Sequence, residues 1–234
     1  IGGNGIKRRE GDVYHFLLPD AGMGSAADHK DMKARFPEES KRVREWRKAF
    51  VAPLDASESR WVQALSQAVD GLLAEHANEQ KRMLAQTGNS IALFGMEAPE
   101  LGLNSYEEKE RLANQRMREH APYYKLKLIM DYWCALWYWS PQDARDLPDR
   151  RTWWTDVAHI LGMELTATGT EERSVLDAMA AAVPATDLFG NSRLGLIRTA
   201  SSTSRFFHLQ LEFIEVFAER VGFDVVVGTP PWVK

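Results

Sequence analysis

From Leu126 to Trp139 the chain is almost wholly apolar: Leu126, Leu128, Ile129, Met130, Tyr132, Trp133, Cys134, Ala135, Leu136, Trp137, Tyr138 and Trp139. Such a segment must be surrounded by other protein. It is well short of the ~18 residues that a membrane span needs, so it reads as a central buried helix. The remaining elements have to supply faces that cover it. Aromatic density of this kind could also serve as a stacking platform for single-stranded nucleic acid. Core packing is the preferred reading, because the rings lie on all sides of the helix rather than along a basic groove.

The flanking sequence supplies candidate partners. Ser57 is placed to cap a long helix reaching about Gln86, with Trp61, Leu65, Ala68, Val69, Leu72 and His76 on one face. His76 ends that stripe and reads as a core-edge histidine. Lys30 to Lys48 is charge-dense, and Pro37 is placed to start the second of two helices there. The local excess of three positive charges over residues 25–50 could meet phosphates, though a solvated helical face is the plainer reading. Gly88, Gly95, Pro99 and Gly102 mark a loop. A further helix is expected from Ser105, broken or kinked at Pro122. Pro141 ends the aromatic helix, Thr152 is placed to cap the next, and an alanine-rich helix is expected from Glu172 to Val183. Val13 to Leu18 and Arg193 to Ala200 read as short strands. Ser201 to Ser204 reads as exposed loop, or as a contact for a phosphate.

Asp20-Ala21-Gly22-Met23-Gly24 follows the first of these strands and has the look of a cofactor loop. That reading needs a helix packed on a sheet, then a second strand ending in an acid that holds a ribose. Neither follows, so a turn before a helix is the better reading. Zinc-ligand pairs, a His-Glu-x-x-His run and a phosphate loop ending in Gly-Lys-Ser/Thr are all missing from the sequence. The single cysteine, Cys134, rules out an internal disulfide and fits a reducing cytoplasm. A net charge of −4 does not mark a dedicated nucleic-acid coat, but local basic patches remain compatible with it.

The C-terminus carries the chemistry. Gly222-Phe223-Asp224-Val225-Val226-Val227-Gly228-Thr229-Pro230-Pro231-Trp232-Val233 reads as a β-branched strand, a glycine exit and a loop stiffened by two prolines. A flat ring beside a few acceptors suits gripping a planar base outside its stack. The run resembles the catalytic Asn/Asp/Ser-Pro-Pro-aromatic motif of amino-group DNA methyltransferases. Phe206-Phe207-His208-Leu209-Gln210-Leu211-Glu212-Phe213-Ile214-Glu215-Val216-Phe217 is similar to the segment preceding that motif in large adenine-N6 methylases of the type IIG restriction and phage-defence kind. The specific likeness covers Arg205 to Lys234, and a weaker one runs back through the Trp- and Tyr-rich helices.

The resemblance implies that Thr229 and the Pro230 carbonyl accept hydrogen bonds from the adenine amino group, that Pro231 stiffens the loop and that Trp232 stacks on the flipped base. It also implies S-adenosylmethionine as cofactor and double-stranded DNA as partner, possible further partners being other restriction or defence subunits. A cytosine N4 target uses the same kind of loop. Thr229 departs from the motif: its hydroxyl lacks the reach and the carbonyl of an amide, and its β-branch stiffens χ1.

The resulting expectation is a mainly α chain with a few strands, a helical insertion leading into a strand of a Rossmann-like α/β methyltransferase. Residues 1–24 would be loop and short strand, 25–200 helical, and 201–234 the start of the catalytic half. Both ends read as those of a piece of something longer, with the cofactor strand and target-recognition domain outside these residues and the piece alone inactive. The competing reading is a non-catalytic helical module that binds nucleic acid or other subunits of a defence complex.

Overall fold

The computed structural model describes residues 11–87, 94, 107, 110, 111, 114, 121–163, 191–220 and 222–228. Its helices begin and end where local chemistry demands. After α1 (Lys30–Arg35), α2 (Pro37–Phe50) opens with proline at its first position, followed by Glu38 and Glu39, and closes with Arg47 and Lys48, so both ends match the helix dipole. Helix α3 (Ala56–Thr87) spans 32 residues. Its cap is Asp55 rather than Ser57. The Glu58 amide donates to Asp55 Oδ1 at 2.8 Å and the Asp55 amide donates to Glu58 Oε2 at 3.1 Å, a reciprocal capping box.

Helix α4 (Pro122–Trp137) is the aromatic helix, and Pro122 starts it instead of kinking it, with Ala121 extended before it. Helix α5 (Arg150–Leu161) is capped by Asp149, whose Oδ1 accepts from the Thr152 amide at 2.7 Å; Thr152 lies inside the helix. It ends at Gly162, left-handed at φ 76°, where the Met163 amide returns to the Ala158 carbonyl. Helices α6 (Asn191–Ser204), α7 (Leu209–Glu212) and α8 (Ile214–Glu219) follow.

Helix α4 lies at the centre, packed against α3, α5, α6 and α7. Leu126, Ile129, Tyr132, Ala135 and Leu136 are completely buried, along with Leu65 and Val69 of α3 and Trp153, Trp154 and Val157 of α5. The aromatic density is therefore core, not a stacking platform. Among the described residues no helix is long and apolar enough to cross a membrane.

The expected strands are absent: no strand occurs among the described residues. Val13 to Leu18 instead holds a 3-10 turn over His15–Leu17. With no neighbouring strand to pair with, its carbonyls are met by indoles: Trp154 Nε1 donates to Leu17 O at 3.0 Å and Trp133 Nε1 to Leu18 O at 2.9 Å. Arg193 to Ala200 lies within α6 instead, although Gly195 and Ile197 have low intrinsic helix propensity. Val225, Val226 and Val227 are 75%, 83% and 90% exposed and belong to no sheet. A β-branched run makes a strand only beside a partner that takes its backbone hydrogen bonds, and no such partner is present among the described residues. No Rossmann-like element thus occurs among the described residues, whose regular structure is all helical. Gly88, Gly95, Pro99, Gly102, the Glu172–Val183 segment and Thr229 to Lys234 lie outside the described residues.

Candidate functional site

The segment that leads to the terminal Thr-Pro-Pro-Trp run is tied to the helical body at three consecutive points. At the first, Asp131 of α4 collects three donors. His208 Nε2 lies 2.7 Å from Oδ1, while Lys127 Nζ and Ser201 Oγ each donate to Oδ2 at 2.7 Å. Burial pushes the Asp131 carboxyl up, yet the hydrogen bonds from His208, Lys127 and Ser201 and the Lys127 charge outweigh it and hold the group below the usual carboxylate value. At the second, His76 Nε2 donates to the Leu211 carbonyl at 3.2 Å, which places the ring proton on that nitrogen. At the third, Tyr123 Oη donates to Glu212 Oε1 at 2.5 Å.

His208 and Glu212 each find a partner on α4, Asp131 for the first and Tyr123 for the second. His208, Asp131 and Ser201 do not make a nucleophilic triad. The serine hydroxyl donates to the carboxylate rather than to the imidazole, so no base is placed to activate it. His76 is 1% exposed and serves as a backbone donor. Sequence reasoning had no means of naming Asp131 as the hub: it sits in an aromatic run with only its i,i−4 spacing to Lys127 as a signal.

Beyond these ties, α8 and the chain after it fold back on the second half of α3. Phe213, Phe217 and Phe223 meet edge to face, with ring centroids 5.2 Å and 5.8 Å apart. Between α3 and this return runs an open cleft of about 880 Å³, lined among others by Lys81, Leu84, Glu215, Arg220, Phe223 and Val225. The volume is of ligand size, and one buried carboxylate oxygen of Glu215 has no hydrogen-bond partner among the described residues. The cleft ends at the exposed valines. Thr229, Pro230, Pro231 and Trp232, the residues expected to grip a base, lie outside the described residues.

The glycine turn does not fit a cofactor cradle. A Cβ on Gly22 would lie 2.2 Å from the Trp137 ring, and one on Gly24, at φ 66°, would lie 2.6 Å from Val43. The space those glycines leave is filled by the protein's own side chains. The turn leads into a 3-10 helix over Ser25–Asp28 and caps itself through Asp20, whose Oδ1 accepts from the Gly22 amide. Cys134 is half-buried, and burial together with the nearby Asp131 charge pushes its thiol up to about 11, so it is inert near neutrality. Among the described residues no cluster of His, Cys, Asp and Glu could hold a metal ion.

No protein-family model, curated protein or solved structure matches the chain.

Proposed function

We propose that this chain is the helical part of a DNA methyltransferase acting on the N6 amino group of adenine in a restriction-modification or phage-defence system. One observation carries the reading: the run from Phe223 to Trp232, in which three valines and a glycine lead directly into Thr-Pro-Pro-Trp. Two consecutive prolines fix φ at Pro230 and Pro231. In this reading the Pro230 carbonyl and the Thr229 hydroxyl accept from the amino group, and the Trp232 indole lies against the purine face. The loop needs no strong base, since holding the nitrogen in line with the transferred group supplies much of the rate. The ties at His208, Leu211 and Glu212 support the reading by giving the approach to the bend a fixed footing. The methyl donor that the resemblance implies would have to be held by residues other than the Asp20–Gly24 turn, whose space is filled by Trp137 and Val43.

The test is the N6-methyladenine content of host DNA when the parent chain is expressed in cells lacking adenine methylation. Trp232→Ala brings it to background. Thr229→Asn restores an amide acceptor and raises it by roughly a hundredfold to a thousandfold, the size of one well-placed hydrogen bond at a reacting centre. No methyladenine from the parent would overturn the reading, while no change or a fall with Thr229→Asn would remove Thr229 from the acceptor role.

The second reading, a non-catalytic helical module that binds nucleic acid or other defence subunits, is favoured by the valines that stand exposed outside any sheet. It predicts no methyladenine from the parent, wild type or variant.

A further inference from the structure

Helix α8 carries a carboxylate that its own sequence cannot match. At i−4, i−3, i+3 and i+4 from Glu215 stand Leu211, Glu212, Ala218 and Glu219, none of them basic, so the helix surface offers it no cation. Arg220, the nearest arginine in sequence, is paired with Asp224 at 2.8 Å. Glu215 Oε2 is buried without a hydrogen-bond partner, and no described residue forms an ion pair with the carboxylate. Its place in the first turn of α8 gives it only the weak dipole of a helix of 6 residues. A carboxylate with one oxygen out of water and no cation beside it has lost solvation that the fold does not return.

Glu215 belongs to the wall of the open cleft of about 880 Å³ between α3 and the returning chain. The same wall holds apolar side chains: Leu84 of α3, Val216 of α8, and Phe223 and Val225 beyond it. Leu84 is 46%, Phe223 40% and Val225 75% exposed, so these side chains face water. Phe223 is held in place by edge-to-face contacts with Phe213 and Phe217. Lys81 also lines the cleft, but it has an interaction of its own in the fold and gives no hydrogen bond to Glu215 Oε2. Among the described residues no group of His, Cys, Asp and Glu could hold a metal ion, so the cation that suits this acid is an organic one.

We infer that the cleft between α3 and α8 is a binding site for a small organic amine, its ammonium donating to Glu215 and its apolar body lying against Leu84, Val216, Phe223 and Val225. Both parts of the ligand are required by the lining. An anion would meet the unmatched charge of Glu215, and a wholly apolar molecule would cover the carboxylate without giving it a donor. The apolar wall supplies burial and the single acid fixes orientation, the usual division of labour in a ligand cleft. The bond is charge-assisted at both ends, and it gains from a carboxylate that is already partly withdrawn from water. The inference goes beyond the methyltransferase reading and does not rest on it.

The experiment is a calorimetric titration of the full chain with 2-phenylethylamine, and with 2-phenylethanol as a neutral probe of the same shape. The wild type binds the amine saturably and the alcohol at least about tenfold more weakly, the difference that a hydrogen bond to a charged group makes. Glu215→Gln keeps the shape of the side chain, removes its charge and brings the amine down to the level of the alcohol. Without ligand this variant melts no lower than the wild type, because the charge it loses has no partner in the fold. Val225→Arg sets a competing cation at the cleft and also weakens the amine. Val227→Arg, at a residue 90% exposed and outside the lining, leaves the affinity unchanged. Thermal unfolding confirms that each variant folds. Equal binding of the two probes, an unchanged affinity in Glu215→Gln, an equal loss in Val227→Arg, or no saturable binding by the wild type would each overturn the inference. Methyladenine in host DNA is a separate readout, so the failure of either reading leaves the other standing.

Discussion

Arg150 joins three separate stretches of chain through one guanidinium. Its Nε and Nη2 donate to the two carboxylate oxygens of Glu58 at 2.9 Å and 2.6 Å, and Nη1 donates to the Ala52 carbonyl at 2.5 Å. The same group lies over the Trp154 ring, 5.6 Å from its centroid. The end of α2, the start of α3 and the start of α5 thus share one cation. Only a planar fork can satisfy that geometry. Arg150→Ala strands the Glu58 carboxylate in a mostly buried place and is expected to cost about 3 kcal/mol, read as a lowered denaturant midpoint. Arg150→Lys recovers only a fraction of that loss, because an ammonium cannot bridge both oxygens and the carbonyl. Nothing in the sequence marks Arg150 for this role. Its partner Glu58 is 92 residues away, and no local pattern encodes a pairing at that range. Asp149 and Asp55, by contrast, were recoverable from spacing, and the nearby Thr152 and Ser57 were chosen in their place by a shift of two or three residues.

Helix α6 is held by a buried knot. Asp156 of α5 is completely buried and accepts from Tyr132 Oη at 2.8 Å and from Arg193 Nη1 at 2.7 Å. Burial, and then the Asp156 charge, push the Tyr132 hydroxyl well above its ordinary range, so it remains a donor at every physiological pH. Arg193 is the only one of the three on α6. Arg193→Ala leaves the Asp156 charge buried without its cation and is expected to destabilise the fold by about 3–5 kcal/mol. Hydrogen exchange then shows α6 amides opening before those of α4, whose packing does not depend on the knot; equal protection of the two helices would contradict this. The same helix shows where sequence patterns fail. Arg193 to Ala200 read as a strand because Gly195 weakens a helix and short apolar runs have no clear period. The tertiary contact at Arg193 overrides that weak local preference. Helices α2, α3 and α4, each with a long apolar stripe or a proline start, were legible in advance.

At the scale of the whole molecule, acid is the natural solvent stress. His15 packs edge-on to Trp133 with ring centroids 5.4 Å apart, and burial lowers its pKa below the ordinary histidine value. The unfolded chain therefore binds this proton more readily than the folded one, and stability falls as pH drops below about 6.5. Asp131 is also held low, so its contribution is present above about 3.9 and is lost as pH falls through its folded value. Melting temperature should accordingly fall in two stages on acidification. His15→Gln removes the upper stage and Asp131→Asn the lower one, at the cost of a less stable protein near neutrality. A single unchanged acid transition in both variants would refute this assignment. The helical body was legible from the sequence because burial periodicity is local. The terminal valines were misread as a strand because β-pairing is a property of a neighbour, and a sequence run cannot show whether that neighbour is present. The ties at His208, Leu211 and Glu212 reach back 77, 135 and 89 residues along the chain. Three fixed points remove all freedom of tilt from a short stretch of backbone. The heading of the chain as it leaves Glu212 is thus written into α3 and α4, and a conservative change at His76 or Tyr123 would steer the distant tail without touching it.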